Sequence, residues 1–538
     1  MSIATTDELG KIIQEEKNRP KNVLLVDGQM PNLKGKEGYF FYSDDPNNIE
    51  TFDAAPYGLA RISGYLDAYN VPNKIIRLRD FISSPKKEEL EAIIKESDII
   101  GISGLSNSAP EMFTFCLETK LKHPEKTIIG GREYFGLDSE WILKNKNRTG
   151  VDLCCNSQGE LPILSLAFGV PQEKIGSITY EGGDEKIIKN DFFPRLDERS
   201  ENKLLRSKPA RELPIEWCAN IFPEFQKQFK HCGNTMVGSG CPYNCDFCAN
   251  SKFLESRKYI PSGETAKKEV KAMSDKGMDF FFVRDLLLNA EQKNLDEFID
   301  FMTELNLNAE QKMKWAAFMS VKKHSDLNDL FRRMSDAGCV EIMVGVEDVV
   351  EDRRKLHKGL NTEAAAQFTD VAKDHMLVRS FLMLGLPDHY KYSKDEIKES
   401  LLLFMKEHPQ AIYRIGLWTP IIGTKDFEEY KFALKEDVRE NIDALKEHDT
   451  MHYVVDPLKI YDHLNVSPEK RYIQEANEWE SLRNDVVKEY YESEEHREYL
   501  ENLKGKEFLY ESAKNFQEVA LNRLNDTERG NEFGIMHR

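Results

Sequence analysis

Within GSGCPYNCDFCANSKF, residues 239–254, three cysteines stand at Cys241, Cys245 and Cys248, a C-x3-C-x2-C spacing. A loop that short can gather three thiolates around one small metal assembly. Soft sulfur ligands select iron–sulfur clusters, zinc or copper(I). A structural zinc ion takes four closed ligands and an electron-transfer cluster usually takes four cysteines, so a triad leaves one coordination position for a substrate or cofactor. Cys232, or His231 beside it, is the fourth ligand that a structural zinc site or a closed cluster would need. Cys116, Cys154, Cys155, Cys218 and Cys339 are scattered and read as buried small hydrophobes.

The elements that must position such a loop belong to a chain of 538 residues, too long for one hydrophobic core. Composition is that of a globular protein, 40% hydrophobic and 31% charged, with no apolar run long enough to cross a bilayer. The N-terminal MSIATTDELGKIIQEEKNRP lacks the basic-then-apolar order of a secretory signal, so a cytoplasmic location is expected. A net charge of −19 repels a phosphate backbone. The expected partner is a small-molecule substrate, with neither nucleic acid nor membrane involved.

After an extension over 1–20, residues 21–170 alternate apolar runs (NVLLVDG, KIIRL, DIIGIS, TIIGG, VDLCC) with amphipathic helical periods. That alternation predicts an α/β domain with a doubly wound, Rossmann-like parallel sheet. Residues 171–232 lose the regularity and read as a connecting segment with a small hairpin. Strand and helix patterns resume over 233–424 in six units, from NTMVGSG through DFFFVRD, MKWAAFMS, VEIMVGVE, LVRSFLML and AIYRIGLW. These suggest a partial (β/α)6, TIM-like barrel with its chemistry at the strand C-terminal ends. Residues 425–538 read as a Glu/Lys-rich helical region expected to close or line the substrate side, with Tyr413 and Trp418 as candidate cavity aromatics.

Segment 233–424 resembles the core of the radical S-adenosylmethionine (SAM) enzymes, which carry this cysteine triad after their first strand and an aromatic residue before the third cysteine, here Phe247. The resemblance implies that the three cysteines ligate a [4Fe–4S] cluster whose fourth iron binds SAM. AGCVEIMVGVED, 337–348, resembles the family's fourth-strand segment, which implies a SAM ribose contact for Glu347 after Gly345. SFLMLGLP, LHKGLN and TPIIGT resemble its later segments. Ser320 stands where relatives carry a polar or basic SAM contact, and Arg284 and Asp285 replace the family's frequent Gly-Gly-Glu.

The first domain has no G-x-G-x-x-G after its first strand and no Walker lysine. It resembles instead the cobalamin-binding (B12-binding) domain that precedes the barrel in one radical SAM subfamily. The resemblance implies ring contacts from Ser103, Gly104, Ser106, Gly130, Gly131, Gln158, Gly159 and Glu160, with glycines letting backbone approach a flat ring. Asp-x-His-x-x-Gly is missing, and the one histidine before residue 200, His123, has no such context. The expected activity is a cobalamin-dependent radical SAM methyltransferase acting on an unactivated carbon, fed by an electron donor such as flavodoxin or ferredoxin. Ring contraction, cyclisation or hydroxylation by the same radical is the second reading, and a zinc-binding, non-enzymatic protein the third. No catalytic side chain is assigned.

Overall fold

A computed structural model describes residues 20–28, 57–78, 87–104, 108–192, 223–225, 228–229, 232–250, 260–310, 312–322, 326–350, 362–434, 455–473, 475 and 477–527. Ser106, Cys218, His231 and the LHKGLN segment, 356–361, lie outside the described residues.

The N-terminal elements are β1 (Val23–Asp27), α1 (Tyr57–Ala68), β2 (Asn73–Arg77), α2 (Lys87–Glu96), β3 (Ile99–Ser103), α3 (Ala109–Lys122), β4 (Thr127–Gly131), the short helices α4 (Glu133–Leu137), α5 (Ser139–Lys144) and α6 (Lys146–Thr149), β5 (Leu153–Cys155), α7 (Glu160–Ala167), β6 (Ile178–Glu181) and β7 (Ile187–Lys189). They form one seven-stranded sheet, ordered β2-β1-β3-β4-β5-β6-β7. The first five strands are parallel and joined by helical crossovers; β1, β3, β4 and β5 are buried on both faces, and β2 is the half-exposed edge. The β6–β7 hairpin expected in the connecting segment adds antiparallel to β5, so the sheet continues to Lys189. Cores lie on both faces, Leu25, Ile129 and Leu164 on one and Leu24, Phe113 and Phe135 on the other.

The second body runs β8 (Cys232–Thr235), β9 (Gly238–Ser239), β10 (Ile260–Pro261), α8 (Gly263–Asp275), β11 (Phe280–Val283), α9 (Gln292–Asn308), β12 (Lys314–Met319), α10 (Leu327–Asp336), β13 (Cys339–Glu347), α11 (Thr362–Ala372), β14 (Leu377–Leu384), α12 (Lys394–Glu407) and β15 (Ile412–Leu417). Its six long strands pair in sequence order and all in parallel, the expected partial barrel. A partial barrel leaves an open edge at β15. After α13 (Lys425–Tyr430) and α14 (Pro457–His463), the C-terminal helices α15 (Asn477–Glu492), α16 (Glu494–Asn502) and α17 (Glu507–Thr527) meet that edge. Helix α15 is fastened at both ends: Trp479 Nε1 donates to Tyr390 Oη at 3.1 Å, and Tyr490 Oη donates to the Gln410 carbonyl at 2.6 Å. Among the described residues no helix is long and apolar enough to cross a membrane.

Tyr413 departs from its expected place in a cavity. Its hydroxyl donates to the His408 carbonyl at 2.7 Å and its ring packs on Tyr490, at the N-terminal end of β15. Strand alternation there turns it into the core beneath α15.

His496 lies wholly buried among Tyr490, Tyr491 and Tyr499, and burial pushes its imidazole down to about 4. Its folded pKa lies below the unfolded value, so this stability is complete above about pH 6.5 and is lost as pH falls towards 4, about 3 kcal/mol in all. His496→Phe is expected to flatten the acid-side decline of unfolding free energy, read by urea titration at a series of pH values. Identical slopes in both proteins would refute it.

Candidate functional site

The cysteine loop leaves the C-terminal end of β8, and that end is held by its neighbour β11. The Arg284 N–H donates to the Thr235 carbonyl at 2.7 Å, Arg284 Nε donates to Asn234 Oδ1 at 2.7 Å, and the Val237 N–H donates to Asp285 Oδ1 at 2.7 Å. Arg284 and Asp285 therefore brace the strand from which the loop departs. Within the loop the Cys248 N–H donates to the Cys245 carbonyl at 3.1 Å, a tight turn that brings two of the three thiols onto one bend. Cys245 is buried, and Cys241, Phe247 and Cys248 are half-buried.

Lys322, just past β12, donates to the carbonyls of Asn289 and Ala290 at 2.6 and 2.9 Å. Burial lowers the pKa of its ammonium, and attraction to Cys241 opposes that shift. Among the described residues no three His, Cys, Asp or Glu side chains converge as ligands of one metal ion. In a cubane cluster each thiolate takes a different iron, so a half-buried triad spread along a short loop suits that donor set. Cys232 opens β8 at the other end, about 10 Å of extended strand from Thr235.

A second anchor comes from the segment after β15. Lys425 Nζ donates to Asp246 Oδ2 at 2.8 Å, and the Asp426 N–H donates to the Asp246 carbonyl at 3.2 Å. Trp418 Nε1 donates to Asp426 Oδ2 at 2.8 Å. Burial raises the pKa of the Asp426 carboxyl, with the Trp418 bond acting against it.

The expected SAM residues lie at the same strand ends. Ser320 is clamped by Asn289, whose Oδ1 accepts the Ser320 N–H at 2.9 Å and whose Nδ2 donates to the Ser320 carbonyl at 2.8 Å. Glu347 ends β13, where the register with β14 slips between Gly345 and Glu347. Its φ is +71°, a left-handed conformation that costs a non-glycine residue ~1–3 kcal/mol and collects at functional sites.

On the N-terminal sheet, Ser103 and Gly104 follow β3, Gly130 and Gly131 end β4, and Gln158, Gly159 and Glu160 lead into α7, so these residues share one sheet edge. The order β2-β1-β3 puts the topological switch at β1/β3, beside Gly28 and Gly104. Three of the glycines have internal reasons for being glycine. A Cβ on Gly104 would stand 2.5 Å from Met112 Sδ, on Gly130 2.0 Å from the Phe135 ring, and on Gly159 2.9 Å from Ile62. Gly131 alone of the four leaves open room, its nearest atom being Ile102 O at 3.9 Å. Arg132, next to it, has φ +79°, a strained non-glycine position that sequence reading missed. His123 ends α3 on the opposite edge and pairs with Glu91 at 2.7 Å, so it cannot serve this one.

The two edges meet at α1. Arg61 NH2 pairs with Glu160 Oε1 at 3.2 Å, while its NH1 lies 3.5 Å from Met236 Sδ, past the end of β8. One turn earlier Tyr57 Oη donates to Glu269 Oε2 at 3.1 Å, which also accepts from Thr235 Oγ1 at 2.7 Å. No pattern in the sequence distinguishes Arg61 or Lys322 from surface cations.

Residues 235–404 match the Radical SAM superfamily. The chain thus carries a radical SAM domain. Bacteriochlorophyllide d C-8(2)-methyltransferase of Chlorobaculum tepidum is 22% identical over 208 residues, 36% of this chain but 44% of that protein, so less than half of that relative is spanned. Anaerobic magnesium-protoporphyrin IX monomethyl ester cyclase of Rubrivivax gelatinosus is 20% identical over 405 residues, 70% of this chain and 69% of that one. Among solved structures, the radical SAM methyltransferase TsrM of Kitasatospora setae, with cobalamin and a [4Fe-4S] cluster bound, aligns with TM-score 0.59 at 13% identity, over 77% of this chain and 78% of that chain. The cobalamin-dependent SAM radical enzyme OxsB aligns with TM-score 0.57 at 14% identity, over 97% of this chain and 81% of that one. The fold is shared with these two solved structures, over 97% of this chain for OxsB and 77% for TsrM.

Arg61→Met would leave Glu160 buried without its guanidinium, a loss of about 3–5 kcal/mol in unfolding free energy. Arg61→Met with Glu160→Gln is expected to recover much of it. Denaturant titration of both variants checks this, and a mild single variant would refute it.

Proposed function

We propose that the protein is a cobalamin-dependent radical SAM methyltransferase acting on an unactivated carbon of a small-molecule substrate. The observation that carries this reading is Arg61, which touches Glu160 on the C-terminal edge of the first sheet and Met236 on that of the barrel. A reaction that needs two cofactors in one chamber needs those two edges to share a boundary. When bound, a [4Fe–4S] cluster supplies the electron that splits SAM, and the corrin supplies a methyl carrier.

The remaining work falls to this chain's own residues. Cys241, Cys245 and Cys248 hold the cluster, and Lys425 and Asp426 keep their loop from swinging. Lys322, attracted by Cys241, would offset the negative charge of a bound cluster. Glu347 accepts from the SAM ribose, with Gly345, Ser320 and Phe247 completing that wall. Ser103, Gly131 and Gln158 line the corrin face, Gly131 by the bare Cα that leaves space there. Gly104, Gly130 and Gly159 shape the same edge by admitting Met112, Phe135 and Ile62. Glu160 acts through Arg61 as a brace. His123, paired with Glu91 at the opposite edge, would not take part in holding a corrin. Trp418, buried just past β15, fixes Asp426 and through it the grip on the cysteine loop. An external one-electron donor such as flavodoxin or ferredoxin completes the electron balance.

A second reading, radical ring closure without methyl transfer, draws on the cyclase relative that matches over 70% of this chain.

The test is chemical. Protein purified without air, loaded with iron, sulfide and cobalamin and given dithionite, [methyl-¹³C]SAM and a small-molecule extract should form 5′-deoxyadenosine and S-adenosylhomocysteine together and place ¹³C in a product. Cys245→Ser should lose 5′-deoxyadenosine to background while keeping the corrin absorbance. A product without ¹³C favours ring closure, and absence of 5′-deoxyadenosine from the wild type ends both readings.

A further inference from the structure

The strained end of β13 is braced by groups that no resemblance assigns. One residue after Glu347, Asp348 is buried, and its Oδ1 accepts from the Val350 N–H at 2.9 Å and from His389 Nε2 at 3.0 Å. His389, on the turn after β14, has no exposed surface. Its Nδ1 accepts the Gly385 N–H at 3.2 Å, so the ring proton sits on Nε2 and points at the carboxylate. The ring centroid lies 6.3 Å from that of Trp479, on α15. Trp479 also packs over Gly385, whose φ is +80° and whose Cα leaves 3.5 Å to the indole from an added Cβ. Trp479 is itself fixed by its bond to Tyr390. A fixed chain therefore leads from the C-terminal helices through an imidazole of one tautomer to the residue beside Glu347.

We propose that His389 is a positioning residue which, through Asp348, holds Glu347 in its left-handed conformation so that its carboxylate meets SAM. The inference rests on the reading of Glu347 as a SAM contact. A left-handed non-glycine residue persists only where its surroundings over-determine it: past the register slip Glu347 pairs with Leu382 of β14, and Asp348, the next residue, is fixed by the buried His389. Full burial keeps the imidazole away from SAM and substrate, which separates positioning from proton transfer. The C-terminal helices thereby support SAM binding from behind, a role different from lining the substrate side.

The test needs no substrate. Full-length protein loaded with iron and sulfide is given dithionite and SAM, and 5′-deoxyadenosine formation yields KM and kcat. Equilibrium dialysis with labelled SAM, without reductant, gives Kd. His389→Phe is expected to raise KM and Kd about tenfold while kcat moves less than about twofold. His389→Gln, whose amide N–H can reach the same carboxylate, should bring both back to within about threefold of wild type. In protein without the cluster, amide exchange over residues 346–350 should speed up in His389→Phe and much less in His389→Gln. A folded, iron-replete His389→Phe with wild-type Kd overturns the proposal, and so do equal losses in the Phe and Gln variants. Should His389→Phe not fold, Asp348→Asn takes its place: weakened SAM binding supports the brace and unchanged binding overturns it. Glu347→Gln with wild-type Kd removes the SAM reading itself, a result independent of any change at His389.

Discussion

The arrangement depends on a buried guanidinium. Arg61 belongs to the first helix of the N-terminal sheet, is 8% exposed, and spends its donors on a carboxylate of its own domain and a thioether of the next. Taking both charges of the Arg61–Glu160 pair out of water is expensive, so the pair adds little net stability over an apolar replacement. Its value is geometric. A planar cation with a fixed fork of donors tolerates few relative placements of the elements it touches, which a greasy contact would not enforce. The two sheets are held edge to edge at their strand C-terminal ends, and Arg61 stands where the edges join.

One contact would leave a hinge, and the fold supplies a second. The segment after β15 crosses back to the N-terminal sheet, where Ile422 and Phe427 join the core with Phe113 and Phe135. Gly423 is glycine for this reason: with φ +81° and a virtual Cβ 2.7 Å from Leu137, no other residue fits between the bodies. The same few residues, Lys425 and Asp426, grip Asp246 in the cysteine loop. A displacement of the first sheet is therefore transmitted to the loop directly. Attachment at α1 and at α13 fixes the angle between the sheets as well as their separation.

Much of the fold was legible because the strands are apolar runs buried on both faces, each bounded by a crossover helix of recognisable period. NVLLVDG, DIIGIS and TIIGG fell where β1, β3 and β4 lie, and five barrel strands were in place, whereas β8, Cys232–Thr235, starts and ends earlier than the expected NTMVGSG. The cysteine triad was legible as chemistry because its spacing is local. Contacts between distant residues were not. Arg61 and Met236 are 175 positions apart, His389 and Asp348 are 41 apart, and neither pair leaves a periodic trace. The glycines at 104, 130 and 159 were legible as special, but the cause lay in Met112, Phe135 and Ile62, which sequence alone could not place against them. Tyr413 misled for a related reason: an aromatic in a strand announces burial and does not say at which end.

The far end of the barrel explains how the near end can hold strain. Arg379, fully buried near the start of β14, binds Glu341 on β13 at 2.6 Å and also pairs with Glu224 ahead of β8. Two carboxylates against one guanidinium exceed its charge, and burial pushes the Glu341 carboxyl well above its ordinary range, with Arg379 opposing and Glu224 adding to the shift. The group is neutral overall when one carboxyl keeps its proton, which removes most of the penalty of burying a net charge. Around it Phe225, Phe229, Phe280 and Phe508 stack, so that α17 and the segment before β8 close the barrel floor. Strand N-terminal ends locked in this way leave the C-terminal ends free to carry the register slip, the left-handed Glu347 and an eight-residue cysteine loop. Rigidity and strain occupy opposite ends of the same six strands, and the strained end persists because the other end cannot relax with it.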